Sequence, residues 1–262
     1  MSTTTSFTRE ELMAVAAAQE IEDDEVALIG TGLPMIAAYL AKYTHAPGVT
    51  LFFESGIIGS SPKELAIGVG DFRLLSGCVK AAGLYYALSL LQRGVVDLGF
   101  LGAAEIDQYG NINSTTIGDY AKPKVRLPGS GGANDIASLA KRVVIIVPHE
   151  KRKFPERCSY VTTPGFLEGP GARQRAGLRG AGPVRVITSL AVLGFDEESK
   201  RMRLETLHPG ISLEEVRDNT GFDLLIPDGI SDSIPETRVP TGEELRLLRD
   251  VIDTEGFYIN KT

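Results

Sequence analysis

The fold is decided by the stretch Val26-Ala27-Leu28-Ile29-Gly30-Thr31-Gly32-Leu33-Pro34. Its aliphatic residues predict a short buried strand, its glycines a tight turn, and its proline suits the first turn of a helix. An alanine-rich helix is then predicted from Met35 to Tyr43. A strand, a glycine turn and a helix in succession form the repeating unit of α/β proteins.

The same alternation runs through the rest of the chain. Further strands are predicted at Val49 to Glu54, Val95 to Leu101 and Val143 to Val147, with a helix at Leu84 to Gln92. Segments 184–188, 191–195 and 201–207 predict an antiparallel meander, and the capping-box patterns at Thr8, Ser212 and Thr241 predict more helices, the last reaching about Val251. We therefore expect an α/β fold with an open, mainly parallel mixed sheet and flanking helices, in one domain spanning 1–262.

Composition excludes several classes of protein. The chain has 262 residues, a formal net charge of −7 and no basic run longer than Lys151-Arg152-Lys153, which argues against a nucleic-acid partner. Two cysteines and three histidines without ligand spacing predict no metal site and no disulfide framework. A polar start at residues 1–7, with no long apolar run, predicts a cytoplasmic protein that does not enter membranes.

Glu54 ends the apolar run 49–53, immediately before Ser55 and Gly56. Ligand crevices of α/β proteins form at such strand ends. One interpretation is a structural carboxylate that caps a helix or pairs with arginine. The other is a nucleophile, because a glutamate with a reference pKa of about 4.3 is ionised at neutral pH and needs position rather than a neighbouring base.

A second candidate is Gly129-Ser130-Gly131-Gly132-Ala133-Asn134-Asp135, which leads into a predicted helix. Its backbone N–H groups could form an anion or oxyanion cradle, although a glycine-rich start of a helix without any ligand is equally compatible. Gly30 and Gly32 could likewise contact a ligand or only form a turn. The turn 110–113, with Asn113, favours local hydrogen bonds over ligand contact.

Taken together, these segments and Gly102-Ala103-Ala104-Glu105-Ile106-Asp107-Gln108-Tyr109-Gly110-Asn111-Ile112-Asn113 resemble the glutamate-bearing B subunit of family I coenzyme A transferases, the glutaconate branch in particular. The resemblance runs from the first helix to Leu224, and the segment 149–154 shares it. Asp135 departs from the glutaconate pattern, which has glycine there, and agrees with 3-oxoacid transferases. That difference leaves the acid substrate open.

The resemblance implies the open α/β sheet shared with sugar-phosphate isomerases and a ping-pong reaction. Glu54 would form a mixed anhydride and then a glutamyl-CoA thioester, while the backbone N–H groups of Gly131 and Gly132 stabilise the oxyanions. Further contacts to CoA or substrate are expected from Gly30, Gly32, Ser55, Gly56, Asn113, Ala133 and Asn134. Coenzyme A is then a substrate and a covalent intermediate, with no permanently bound cofactor.

The resemblance also implies a partner, a separate A subunit that completes the active site in an (AB)2 or larger assembly. The donor would be an acyl-CoA such as acetyl-CoA, and the acceptor a carboxylic or dicarboxylic acid such as glutaconate. Relatives of this fold include acyl-CoA hydrolases, ring-opening hydrolases and decarboxylases, which remain alternatives. A non-enzymatic ligand-binding protein is a weaker one, because the chain lacks room for a DNA-binding module.

Overall fold

The computed structural model describes residues 6–61, 64–227 and 234–259, so most of the polar start of the chain lies outside the described residues. The chain forms two compact units, one comprising Met1–Leu90 and Arg238–Thr262, the other Leu91–Thr237. The single domain expected from the sequence stays a prediction.

The strands are β1 Val26–Ile29, β2 Thr50–Phe53, β3 Ile57–Ile58, β4 Lys80–Ala81, β5 Leu98–Leu101, β6 Glu105–Ile106, β7 Ile112–Asn113, β8 Thr116–Ile117, β9 Val125–Arg126, β10 Arg142–Val147, β11 Pro183–Thr188, β12 Ala191–Phe195 and β13 Met202–Leu207. The α-helices are α1 Arg9–Ala18, α2 Leu33–Tyr43, α3 Leu84–Gln92, α4 Ala133–Leu139, α5 Ala172–Arg175, α6 Leu213–Asp218 and α7 Gly242–Leu247. No helix among the described residues has the length and apolar character needed to cross a bilayer.

In the first unit, β1 pairs in parallel with β2, and β3 and β4 add antiparallel to it. Helix α1 packs on α2, whose residues 35–41 are all buried. Arg249, in the turn after α7, donates to both oxygens of the fully buried Glu11 carboxylate, at 2.6 and 2.8 Å. A bidentate pair of this kind holds the C-terminal segment against α1.

In the second unit, β5, β10 and β11 are parallel, and β12 and β13 extend the sheet antiparallel. Every residue of β10 from Val143 onward is buried, as expected of a strand covered on both faces. Helix α4 lies close to β5, because a Cβ at Gly99 would come 2.3 Å from the Ile136 side chain. Two short hairpins, β6–β7 and β8–β9, follow β5.

The α/β class, the mixed sheet and the antiparallel meander β11–β13 are confirmed. The capping boxes at Thr8 and Thr241 are present, and the side chain of Ser212 accepts the N–H of Glu215. The last helix continues from α7 as a π-helical turn over Leu248–Ile252. The predicted strand 49–54 ends one residue early, so Glu54 lies in the turn.

Candidate active site

Glu54 directly follows β2, in a turn closed by the Gly56 N–H, which donates to the Phe53 carbonyl at 2.8 Å. Glu54 is half-buried, and its carboxylate makes no hydrogen bond or ion pair with any described residue. A carboxyl group whose position is set by its backbone, with both oxygens uncommitted, is free to react or to bind.

Gly56 fixes the shape of this turn. It is buried with φ at +86°, and a Cβ there would lie 2.2 Å from the carbonyl oxygen of Gly83. A larger residue would therefore be strained and would push two backbone segments apart. The Oγ of Ser55 is buried without a hydrogen-bond partner among the described residues. Both predicted neighbours of Glu54 thus belong to its turn.

Gly30 lies beside this turn. In the parallel β1–β2 pair, Ile29 is opposite Phe53, so Gly30 and Glu54 are the next residues at the same carboxyl edge. An added Cβ at Gly30 would meet nothing within 4 Å. Gly32, with φ at +86°, instead starts α2, and its carbonyl accepts from the Met35 and Ile36 N–H groups.

The glycine segment 129–132 belongs to the second unit, where it precedes α4. Gly131 is exposed with φ at +49°, and Gly132 is the N-cap residue of α4. The N–H groups of Gly131 and Gly132 donate no hydrogen bond to any described residue. Ala133 begins the helix, and its N–H donates to the Ser130 carbonyl at 3.0 Å. Two adjacent unused donors are what an oxyanion requires.

Ser114 holds the glycine segment in place. Its Oγ donates to the Gly129 carbonyl at 2.8 Å, while its own carbonyl accepts the Gly129 N–H at 2.8 Å. The Ser114 N–H donates to Thr162 Oγ1 at 2.9 Å, and the Asn134 side-chain amide donates to the Thr162 carbonyl at 3.0 Å. The sequence motifs around Asn113 and Asn134 therefore form one hydrogen-bonded cluster.

Asn113 is fully buried, and its amide binds protein groups. The Nδ2 donates to Glu105 Oε2 at 2.7 Å and to the Thr116 carbonyl at 2.6 Å, and the Oδ1 accepts the Thr115 N–H at 2.9 Å. These contacts match the local hydrogen bonding that its turn composition favours. Contact between Asn113 and a ligand stays a prediction.

The turn between β6 and β7 is closed by Asp107, which accepts the Tyr109 N–H at 3.0 Å and the Asn111 N–H at 3.1 Å. Burial raises the pKa of the Asp107 carboxyl, against the lowering effect of these hydrogen bonds. Asn111 in turn accepts the N–H groups of Gly165 and Leu167, at 2.9 and 3.0 Å. The 102–113 motif thus holds the 164–167 loop in place through hydrogen bonds with Asn111.

A cavity of about 340 Å³ lies in the second unit, bounded by Ala104, Glu105, Ile117, Val125, Leu127, Arg152 and Lys153. It combines apolar walls with the carboxylate of Glu105 and two cations of the basic 151–153 segment. Glu105 is buried and accepts from the N–H and Oγ of Ser159, at 2.8 and 3.0 Å. Such lining suits a ligand that has both apolar and charged parts.

His149 is buried between Thr188 and Thr220, with ring nitrogens 3.0 Å from each hydroxyl, and stacks on Phe154. Burial, and secondarily the charge of His208, lower its pKa from 6.5 to about 4. The folded chain therefore keeps His149 neutral at pH values where the unfolded chain binds a proton.

We expect this difference to make the fold sensitive to acid. Because the unfolded state binds more protons between pH 6.5 and 4, the free energy of unfolding should fall as the pH drops through that window, by about 3 kcal/mol in total. Urea unfolding across this pH range measures the slope. The His149→Gln variant should flatten it, whereas the exposed-site variant His45→Gln should retain it; equal slopes in all three proteins would contradict the assignment.

Arg173 is a structural residue that the sequence did not single out. It is buried, with Nη1 donating to the Gly165 carbonyl at 2.8 Å and Nη2 donating to the carbonyls of Ala137 and Arg179, at 3.0 and 2.9 Å. Ala137 lies in α4, so Arg173 connects that helix to two loops. Nothing in the local pattern around residue 173 distinguishes it from the exposed arginines nearby.

Three comparisons agree with this architecture. A family model described as coenzyme A transferase matches residues 10–219. The B subunit of the glutaconate CoA-transferase of Acidaminococcus fermentans is 41% identical over 99% of this chain and 97% of its own length. The B subunit of the 3-oxoadipate CoA-transferase of Pseudomonas knackmussii is 42% identical over 93% of each chain.

The fold agrees as well. The crystal structure of glutaconate coenzyme A-transferase from A. fermentans superimposes with a TM-score of 0.91, at 39% identity, over 98% of this chain and 99% of that one. These matches span nearly the full length of both chains, so they include the Glu54 turn and the glycine segment. The chain therefore belongs to the coenzyme A transferase family, as a B-type subunit of a family I CoA-transferase.

Proposed function

We propose that this chain is the subunit that carries the nucleophile of a heteromeric CoA-transferase, and that Glu54 is that nucleophile. The observation that carries the proposal is the Glu54 turn itself. The Glu54 carboxylate directly follows a buried strand and makes no hydrogen bond or ion pair with the described residues. Gly30 lies at the same edge of the sheet with open space around it, and Gly56 in the Glu54 turn has no room for a side chain. A glutamate that capped a helix or paired with an arginine would instead have a hydrogen-bond or ion-pair partner in the chain.

The chemistry uses only this carboxylate and the substrates. A Glu54 oxygen attacks the thioester carbonyl of the donor, the C–S bond breaks, and an acyl-glutamyl anhydride and CoA thiolate result. The thiolate then attacks the γ-carbonyl of Glu54, which releases the donor acid and leaves a glutamyl-CoA thioester. The acceptor carboxylate attacks that thioester, and the same two steps in reverse release the new acyl-CoA and free Glu54.

Each step passes through a tetrahedral oxyanion. We assign the backbone N–H groups of Gly131 and Gly132 as its donors, on the basis of the family resemblance and of their having no partner among the described residues. Losing one such donor typically costs about 100- to 1,000-fold in rate. Ser114 and Asn134 serve this role indirectly, because their hydrogen bonds fix the segment that presents the donors.

The acceptor we propose is a dicarboxylic acid. The two relatives named above, 41% and 42% identical, carry dicarboxylic acids in their names, glutaconate and 3-oxoadipate. The second carboxylate of such an acid requires a cationic or hydrogen-bonding partner in the pocket. Acetyl-CoA or another acyl-CoA would serve as the donor, and an A-type subunit would complete the site in an (AB)2 or larger assembly.

Intact-mass spectrometry tests the covalent route. The chain, purified with its A-type subunit, is exposed to acetyl-CoA or glutaryl-CoA without an acceptor acid. We expect a mass increase of one CoA on this chain, removed by adding acetate or glutarate. Peptide mapping should place the adduct on Glu54.

The matched control is Glu64→Gln, a change at an exposed glutamate of the same unit, which should still form the adduct. Glu54→Gln should not. Free CoA released without any adduct would indicate hydrolysis rather than transfer, and an adduct on another residue would contradict the assignment of Glu54.

A further inference from the structure

The first unit presents an unusual surface segment, the apolar edge, defined as residues 79–85. Every one of these residues is exposed, and Lys80 is the one charged residue among them. Val79 is 85% exposed and Tyr85 is 89% exposed. Single exposed apolar residues are ordinary, but a contiguous set of this kind marks an interaction site.

The apolar edge is firmly held. The Val79 N–H donates to the Ile58 carbonyl at 2.8 Å, and the Ala82 N–H donates to the Gly56 carbonyl at 3.0 Å. The ammonium of Lys80 lies 3.8 Å from the centre of the Tyr86 ring. These side chains are therefore exposed on a hydrogen-bonded backbone, so a partner would not have to order the backbone of this segment on binding.

Strand β4 lies within this edge and ends its sheet. It pairs with β3 on one side, and no strand in the described parts of the chain pairs with its other side. Natural proteins usually cover or charge such a strand, because its free N–H and C=O groups recruit other chains. Strand β4 is two residues long and carries Lys80, and both features limit unspecific strand pairing. The exposed apolar side chains around it, rather than its backbone groups, therefore form the surface that a partner would cover.

The apolar edge is continuous with the Glu54 turn. Gly56 bonds to Ala82 and approaches Gly83 so closely that a Cβ could not be inserted between them. A Cβ at Gly59 would likewise come 2.8 Å from the Val79 side chain. Whatever covers residues 79–85 therefore lies next to the turn that holds Glu54.

We infer that the apolar edge is the docking surface for the A-type partner subunit; this inference rests on the proposed function. The related chains are named as B subunits, so each has a second kind of chain as its partner. A partner bound here would cover one side of the Glu54 turn and exclude water from the proposed acyl-glutamyl anhydride. A second copy of this chain is the alternative occupant, and a two-fold contact along β4 in the register that pairs Lys80 with its own copy would bring two ammonium groups together.

The test compares association of the A-type subunit with variants of this chain. Val79→Glu and Tyr85→Glu place a charge on the apolar edge, and Tyr85 lies in the first turn of α3, where an acid is compatible with the helix. Val239→Glu is the matched control, at a valine of the same unit that is 47% exposed. We expect the two edge variants to bind at least about tenfold more weakly and the control to bind normally.

Hydrogen exchange gives an independent measurement on the unmodified chain. Adding the A-type subunit should protect the amides of residues 79–85. Normal association of both edge variants, or no protection of this segment, would overturn the inference. Protection in the chain alone, with a concentration-dependent doubling of mass that Val79→Glu abolishes, would assign the edge to a second copy instead.

This result is separable from the proposed function. A complex that forms through the apolar edge but transfers no CoA would overturn the function and leave the docking surface standing. Normal CoA transfer by complexes of both edge variants would overturn the docking surface and leave the proposed function standing.

Discussion

Replacing Glu54 by glutamine should abolish CoA transfer while leaving the fold intact. The amide is nearly the same size as the carboxylate but lacks the charge that makes the oxygen nucleophilic, so the rate should fall by about 10⁴-fold or more, as for other covalent nucleophiles. Glu54 makes no hydrogen bond or ion pair with the described residues, so the variant loses no internal contact. Its unfolding midpoint in urea should be unchanged.

The measurement is steady-state transfer by the complex of the two chains, with Glu64→Gln as the control that should retain full activity. Glu54→Asp is a second informative variant, because aspartate keeps the carboxylate but its side chain is one methylene shorter, so the carboxylate no longer reaches the same position. It should show residual transfer or a leak to hydrolysis. If Glu54→Gln transfers CoA at the normal rate, the proposed mechanism is wrong.

Replacing Arg173 by methionine should have the largest effect on stability. The guanidinium donates to the carbonyls of Pro164, Gly165, Ala137 and Arg179, and the residue is only 3% exposed. Methionine keeps much of the apolar stem but leaves four carbonyls without these donors. We expect the free energy of unfolding to fall by about 3 to 5 kcal/mol.

Urea unfolding of both variants measures this effect, and Arg175→Met is the control, because Arg175 is exposed two residues away. The control should change the free energy of unfolding by less than about 0.5 kcal/mol. Burial lowers the pKa of Arg173, yet an arginine stays protonated at neutral pH. A loss below about 1 kcal/mol in Arg173→Met would show that the four carbonyls find other partners.

Much of the fold could be predicted because its main strands are continuous aliphatic runs, the pattern typical of strands buried on both faces. Residues 143–147 and 26–29 illustrate this. The capping boxes could be predicted for another reason, because their hydrogen bonds join residues only three positions apart in the sequence. The two-residue strands β3, β4, β6, β7, β8 and β9 were not predicted, and β7 includes Ile112 and Asn113 of the predicted 110–113 turn. A two-residue strand has no detectable period, so its pairing is set by the tertiary structure.

The candidate site likewise has one part that could be predicted from the sequence and one part that could not. Glu54, Ser55 and Gly56 could be found because a carboxylate and a glycine follow a strand directly. The supporting hydrogen bonds could not be found, since Ser114 binds Gly129 across 15 residues and Arg173 binds Ala137 across 36. Partners that far apart in the chain leave no local pattern in a single sequence.

The apolar edge also has a consequence for how this protein is made. If the A-type subunit covers residues 79–85, a newly synthesised chain would carry these apolar side chains uncovered until that subunit arrives, and exposed apolar surface favours association with other unfinished chains. The yield of folded chain would then follow the supply of the A-type subunit. Balanced production of the two chains would then limit aggregation, for a reason that lies in seven exposed residues of one surface segment.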